Sequence, residues 1–358
     1  MPDQVNASPS RLLTHAEAEQ VLEYNFRLMN KKHPAVDAMY AAALVRLTSE
    51  PVPGGRSGSA VAPQDSETFD RLLSAAEALP PVEPLDLLRP EMQLPVLPAV
   101  LMELQSLMQQ ENSSAEQVAK VVLKDGSLAA WLLRLVNSAY YGFSGRIETV
   151  SRAVALLGFK QMQSVVSSGI LYSLLSGVRG RYFNRRLFWR HSAAVAVLAS
   201  DIWTLSKRKE PERLFVAGQL HDVGKLSLAC VAPDHADVVW QLNEIIGNAL
   251  HEQEQRYLGF DHAILGGVLL RKWNMPVSLV MAVLRHHERG SLVKYPETAV
   301  VHVADILAHS AGLGAEPCGI VPVLFDEAWQ ISGLSPENIE SLLEGAIERI
   351  NSLDSLIG

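Results

Sequence analysis

The stretch FVAGQLHDVGKLSL, residues 215–228, sets His221 beside Asp222 inside an otherwise apolar run. Further histidines stand at His191 in WRHSAA, His262 in FDHAILGG and His286-His287 in LRHHE, and a later carboxylate at Asp305 in VADIL. Imidazole nitrogens and carboxylate oxygens without cysteine are the ligands of Mn, Fe, Zn or Ni, and of Mg where carboxylate and water dominate. Two such ions about 3.5–4 Å apart can clamp both oxygens of a phosphoester displacement and generate hydroxide. Adjacent residues on a helix project about 100° apart, so His221 and Asp222 could not both face one point deep in a core. They could both reach an ion over a helix end, or bridge two. The competing reading of each histidine is a half-buried core residue paired with a backbone carbonyl.

Helices must position these groups, because no useful length of the chain alternates as a strand would. The first segment, about residues 10–47, has apolar residues at helical spacing (Ala18, Val21, Leu22, Phe26; then Val36, Met39, Tyr40, Ala43), split at His33-Pro34 because a residue before proline avoids the helical region. PVPGGRSGSAVAP predicts a flexible linker over residues 49–66, and 67–89 a connecting helical segment. The second segment opens at LPVLPAVLMELQSLM, residues 94–108; Ser114 and Gln117 then form a capping-box pattern. A helix follows Asp125 with Leu128, Trp131, Leu132 and Leu135 on one face, and two more are separated near Gly158. In the third segment His191 is expected to open HSAAVAVLAS, and His221-Asp222 to lie in a helix that loosens near Gly224. Near the end, Ser335 caps, Pro336 takes the first helical position, and Leu342, Leu343 and Ile347 form a stripe. The fold class is all-α.

A net charge of -8 over 358 residues argues against general nucleic-acid binding. Two cysteines, Cys230 and Cys318, supply no disulfide framework and fit a reducing cytoplasm. No run reaches the roughly 18 apolar residues that span a bilayer, and the N-terminus has no signal-peptide pattern. A soluble cytoplasmic protein is expected.

FVAGQLHDVGKLSL resembles the signature of the HD superfamily of metal-dependent phosphohydrolases. Together with LPVLPAV, LVNSAYYG, AVALLGF, YLGFDHAILGG and LRHHE it resembles the HD-related output domain (HDOD) subfamily, over about residues 90–310. The resemblance implies a multi-helix HD-like bundle preceded by a smaller helical subdomain. It implies the ligand series His191, His221, Asp222 and Asp305. By similarity to the HD-GYP branch, which hydrolyses cyclic-di-GMP, His262, His286 and His287 are further ligands. Asp222 and Lys225, the lysine of HDxGK, are then the catalytic candidates. The GYP signature itself is missing: HHERGSLVKYPETA keeps Tyr295-Pro296 but has Lys294 where glycine belongs. Cyclic-di-GMP is therefore not expected to be a good substrate.

The resulting domain map has an N-terminal hairpin extension at 1–48, the linker, and the connecting segment. An HDOD domain at 90–310 follows, divided at 187/188, and C-terminal helices at 311–358 pack on its HD-like part. HDOD proteins are regarded as output or scaffolding modules, so the leading expectation is a bacterial-type signalling protein that binds partner proteins. One or two divalent metal ions (Fe, Mn, Zn, Ni or Mg) would sit in an HD-type site with little catalysis. The second reading is a metal-dependent phosphohydrolase acting on a nucleotide or other phosphoester; the third is an adaptor with an empty site. Arg186 and Arg190, in GVRGRYFNRRLFWRH with Arg179, Arg181 and Arg185, are candidate contacts for a phosphate-bearing ligand. Against that stands a solvated helix face. Tyr140 and Tyr141 could form a binding edge or pack on the next helix, and the N-terminal hairpin could dock a partner or a second copy.

Overall fold

Side-chain caps start several helices where the sequence places them. Gln117 N donates to Ser114 Oγ at 3.2 Å while Ser114 N donates to Gln117 Oε1 at 2.7 Å, the reciprocal pairing that satisfies two free amides. Asp125 accepts from Ser127 N and Leu128 N, and His33 Nδ1 accepts from Ala35 N next to the helix-opening Pro34.

The computed structural model describes residues 12–50, 66–84, 99–108, 110, 113–138, 141–175, 178, 182–291, 294–314 and 319–353. These residues form helices and turns, with no strand among them. In chain order the α-helices are α1 (His15–Asn25), α2 (Pro34–Ser49), α3 (Ser66–Glu77), α4 (Ala99–Met108), α5 (Ala115–Val122), α6 (Gly126–Val136), α7 (Val150–Leu175), α8 (Arg185–Leu205), α9 (Pro211–Leu220), α10 (Val223–Val231), α11 (Pro233–Ile246), α12 (Leu250–Leu258), α13 (His262–Lys272), α14 (Val277–Leu284), α15 (Pro296–Ser310), α16 (Asp326–Ser332) and α17 (Ile339–Leu353). α7 breaks at Gly158, whose φ of 74° and ψ of 167° lie outside helical space, as the sequence predicts. Ser335 and Asn338 cap a short 3-10 turn at Pro336–Asn338, which leads into α17. No helix among the described residues is long and apolar enough to cross a membrane.

Two apolar cores share the helices. The first gathers Trp131, Leu132, Val154, Met162 and Leu171 with Phe188 and Trp189 of α8, Val223 and Leu226 of α10, and Leu265 and Leu269 of α13. The second gathers Ala194–Ile202 of α8, Leu214 and Phe215 of α9, Val300–Leu307 of α15 and Leu342 and Ala346 of α17. α8 therefore runs from one core into the other, Ala193 belonging to the first and Ala194 to the second. α9 and α10 do the same around His221, since Ala217 belongs to the second core and Leu220 and Val223 to the first. The polar residues sit along this seam.

The N-terminal hairpin is not the separate docking element expected of it. Phe26, Val36 and Met39 are buried in the second core, and α2 packs against α15 and α17. α3 lies on α11 through Leu72, Ala76 and Leu242. Residues 51–65 of the expected linker lie outside the described residues, as do the LPVLP run at 94–98, Tyr140, Arg179, Arg181 and Cys318.

Candidate metal centre

The HD doublet is a helix junction. α9 ends at Leu220 with His221 as its C-cap, and Asp222, at φ -98° and ψ 11°, is the N-cap of α10. The helix thus breaks at the doublet itself, ahead of Gly224 where the loosening was expected. Gly224 instead sets a close helix crossing. A β-carbon there would overlap the His262 carbonyl, so only glycine lets α10 approach α13 this closely. The break turns His221 and Asp222 toward one point, which a continuous helix would forbid. Asp222 makes no side-chain cap, leaving its carboxylate for the seam.

His191 does not open its helix. α8 begins at Arg185, with Asn184 as its cap, because the arginine-aromatic stretch before His191 is itself helical. His262 opens α13, His286 and His287 follow α14, Asp305 lies within α15, and His309 lies one turn later on the same helix.

Hydrogen bonds fix which nitrogen of each ring faces inward. His191 Nδ1 donates to Leu313 O at 3.0 Å, His221 Nδ1 to Gly218 O at 2.8 Å and His286 Nδ1 to Val283 O at 2.7 Å. His262 Nδ1 pairs with Glu254 Oε2 at 2.5 Å, and the same oxygen accepts from His262 N at 2.8 Å. Such outer partners set the tautomer of metal-binding histidines and strengthen them as ligands. The four Nε2 atoms then point at Asp222 and Asp305.

The donor atoms have the spacing of a coordination shell. His191 Nε2 lies 3.2 Å from His221 Nε2, 3.5 Å from Asp222 Oδ2 and 3.1 Å from Asp305 Oδ1. His221 Nε2 lies 3.3 Å from Asp222 Oδ2 and 3.7 Å from Asp305 Oδ1. For metal–donor bonds of about 2.0 Å, tetrahedral ligand atoms are about 3.3 Å apart. On the other side, Asp222 Oδ1 lies 3.0 Å from His262 Nε2 and 3.9 Å from His286 Nε2, and His262 Nε2 lies 3.0 Å from His287 Nε2. Asp222 thus turns one oxygen to each of two donor sets. His309 Nε2, 3.4 Å from Asp305 Oδ1, completes a further grouping with His191 and Asp305.

Asp222 Oδ1 and Oδ2, Asp305 Oδ1 and His286 Nε2 are buried without a well-directed hydrogen bond, despite these short distances. Buried acceptors left in that state are costly, and a divalent ion in each donor set would satisfy them. The residues fit the group that the family resemblance implies.

The charges are arranged accordingly. Burial would raise the carboxyl pKa of Asp222, but the charges of His221, Lys225 and His262 outweigh it and hold it well below the usual range. Burial is likewise outweighed at Asp305, chiefly by His309 and His191. In the metal-free protein burial opposes protonation of His191, yet contacts with Asp222 and Asp305 raise its pKa to about 10. At His262 burial is again outweighed, mainly by Glu254, and the value reaches about 10. His286 and His287 go the other way, pushed well below 6.5 by burial and neighbouring histidines.

Lys225 Nζ lies 2.8 Å from Asp222 Oδ2 and lines a cavity of about 20 Å³ with His251, His262, His287, Asp305 and His309. That is room for about one water. All seven expected ligands and Lys225 converge at the seam. Arg186 and Arg190 do not line the cavity; Arg186 is exposed and Arg190 donates to Asn351 Oδ1 at 3.1 Å. The sequence reading missed His309, Glu254 and His251, which stacks on His287 with ring centres 4.1 Å apart. An Asp-x-x-x-His spacing on one helix was the available signal for His309.

Comparison with known proteins fits this arrangement. The chain is 24% identical over 200 residues to an uncharacterized protein of Treponema pallidum (strain Nichols), covering 54% of this chain and 37% of that relative. It therefore spans little more than a third of the curated relative's length. Its fold is similar to that of an HDOD domain protein of unknown function from Geobacter sulfurreducens, with TM-score 0.66, 24% identity, and coverage of 81% of this chain and 98% of the other. A candidate signal transduction protein from Marinobacter aquaeolei VT8 is also similar, with TM-score 0.62, 20% identity, and coverage of 88% and 72%. A profile of the HDOD domain family matches residues 94–289, more than half of the 358 residues, and the chain belongs to that family.

Proposed function

We propose that this protein is a signalling output module that holds one or two divalent metal ions at the seam between its cores and acts by binding partner proteins. The observation that carries the metal assignment is the convergence of four Nε2 atoms, each fixed by an Nδ1 bond, on the two carboxylates Asp222 and Asp305. His191, His221, Asp222 and Asp305 would hold one ion. His262, His286 and His287, with Asp222, would hold the second. A bound ion of this kind supplies Lewis acidity and a water of lowered pKa.

Binding is favoured over turnover by the size of the cavity. About 20 Å³ admits a water or an ion, whereas nucleotide-sized ligands occupy pockets of about 300 Å³ or more. The phosphohydrolase reading has its own supporting observation: the Lys225 ammonium lies beside Asp222 at the cavity wall, where it could neutralise a phosphoryl oxygen.

Elemental analysis of protein purified without chelator, for the parent and Asp222→Ala, tests the metal. Near-stoichiometric metal in the parent and its loss in the variant are expected; a metal-free parent that takes up none on addition would overturn the assignment. A nucleotide turnover panel and a partner pull-down on the same pair decide the rest. Metal-dependent turnover of about 1 per second or faster, abolished in Asp222→Ala, would replace the binding role by the hydrolase.

A further inference from the structure

The mouth of the cavity beside the candidate ligands is narrowed by two stretches from different parts of the chain. One is the turn between α11 and α12, which contributes Asn248, Ala249 and Leu250; the other precedes α16 and contributes Ile320 and Pro322. Neither carries a candidate ligand.

Both stretches are fastened to the same place, the corner where α1 ends. On the α11–α12 side, Arg27 Nη2 donates to Ile246 O at 3.3 Å, and its guanidinium lies over the Tyr24 ring, 4.0 Å from the centre. Gly247, at φ 63°, is the seat for this pair. A β-carbon there would overlap the Tyr24 hydroxyl and the Arg27 guanidinium. On the other side, Val321 N donates to Asn25 O at 2.9 Å, and Gly319 rests against the Asn25 amide. Farther along, Phe325 N donates to His302 Nε2 at 3.3 Å, and His302 Nδ1 donates to His286 O at 2.9 Å. The second stretch is thus held by the corner at one end and by the histidine pair's own backbone at the other.

The corner itself is lightly held. Phe26 is buried, but Arg27 is exposed and Tyr24 and Asn25 are only half-buried. Letting go of the rims costs a few polar contacts and leaves the apolar packing of α2 in place.

We propose that Tyr24, Asn25 and Arg27 form a latch that holds the two rims of the cavity together, so that water, ions or small anions pass in or out faster when this corner releases them. The reading of what passes rests on the metal assignment above; the closure itself does not. Releasing the corner would let the α11–α12 turn and the stretch before α16 separate, enlarging a space that otherwise holds about one water.

The test compares the full-length parent with the double variant Tyr24→Ala/Arg27→Ala. In metal-free protein, carbethoxylation of His251 and His287 by diethyl pyrocarbonate is followed by peptide mass spectrometry. In zinc-loaded protein, release to a chromogenic chelator is timed. Both rates should rise about fivefold or more, the effect of losing about 1 kcal/mol of closure. The buried His302 should keep its parent rate. Equal labelling of His251 and His287 in parent and variant overturns the latch. If the protein takes up no zinc, labelling alone still decides the latch, and it is the metal assignment that falls. Should His302 accelerate in step, showing general loosening, the single exchange Arg27→Gln is read instead. It removes the guanidinium with its contacts to Ile246 and Tyr24 while keeping the Tyr24 ring and a polar side chain, and an unchanged rate there overturns the proposal.

Discussion

His191 and His221 face each other with their Nε2 atoms 3.2 Å apart, although each ring has already given its Nδ1 hydrogen to a carbonyl, that of Leu313 or Gly218. Two neutral rings so arranged would set lone pair against lone pair. A cation has to sit between them, and protons and divalent ions compete for the place.

That competition sets the pH response of the metal-free protein. His191 and His262 keep their protons up to about 10, against 6.5 in the unfolded chain. The stability they confer is complete below 6.5 and is lost as pH rises through about 10. Burial pushes His251 and His302 down to about 4, and His286 and His287 also titrate well below their usual value. Below 6.5 the unfolded chain takes up protons that these four refuse, so stability falls toward pH 4. Chelator-treated protein should therefore melt highest near pH 6.5, and added metal should flatten the alkaline decline. A melting temperature that climbs steadily to pH 9 without metal would contradict this.

Glu254 holds His262 through its ring and its backbone. Exchanging it for glutamine keeps the shape but removes the charge behind the ligand. Metal affinity should drop about 10- to 100-fold, with helical content unchanged. Chelator competition measures it; an unchanged affinity would remove His262 from the ligand set.

Gly158 tests the fold alone. A β-carbon there would meet nothing within 4 Å, but φ 74° with ψ 167° is a region that side-chain-bearing residues avoid. Gly158→Ala should cost about 1–3 kcal/mol in urea unfolding and leave metal content alone.

Burial raises the Cys230 thiol to about 11, with a smaller opposing effect from Arg185. In a Cys318→Ser background, its reaction with a disulfide reagent at pH 8 should be about 100-fold slower than that of an ordinary thiol. Prompt labelling would mean that α10 opens readily.

The ligand types and their order were legible because they are a matter of chemistry: imidazoles and carboxylates stand out in apolar surroundings. The cap at Ser114 and the break at Gly158 were legible because each is decided by a few neighbouring residues. What periodicity could not reveal is which of two cores a residue enters. The hairpin read as an accessory because α1 and α2 precede a Gly/Pro-rich stretch, while their burial depends on α15 and α17, near the other end of the sequence. Glu254 was invisible for a similar reason. It serves His262 only because the chain turns at Gly259, φ 81°, and folds α12 back beside α13. Arg186 and Arg190 drew attention by charge and composition, which say nothing of the direction in which a helix presents them.

α8 enters both cores, and this gives the seam a mechanical character. Its first turns are gripped by Phe188 and Trp189, its later ones by Val195, Leu198 and Ile202, with His191 within one turn of the crossing. A rod clamped at both ends cannot rotate in one clamp without twisting in the other. The position of His191 is therefore fixed from both cores at once, so a displacement of α8 at the crossing would be felt in both.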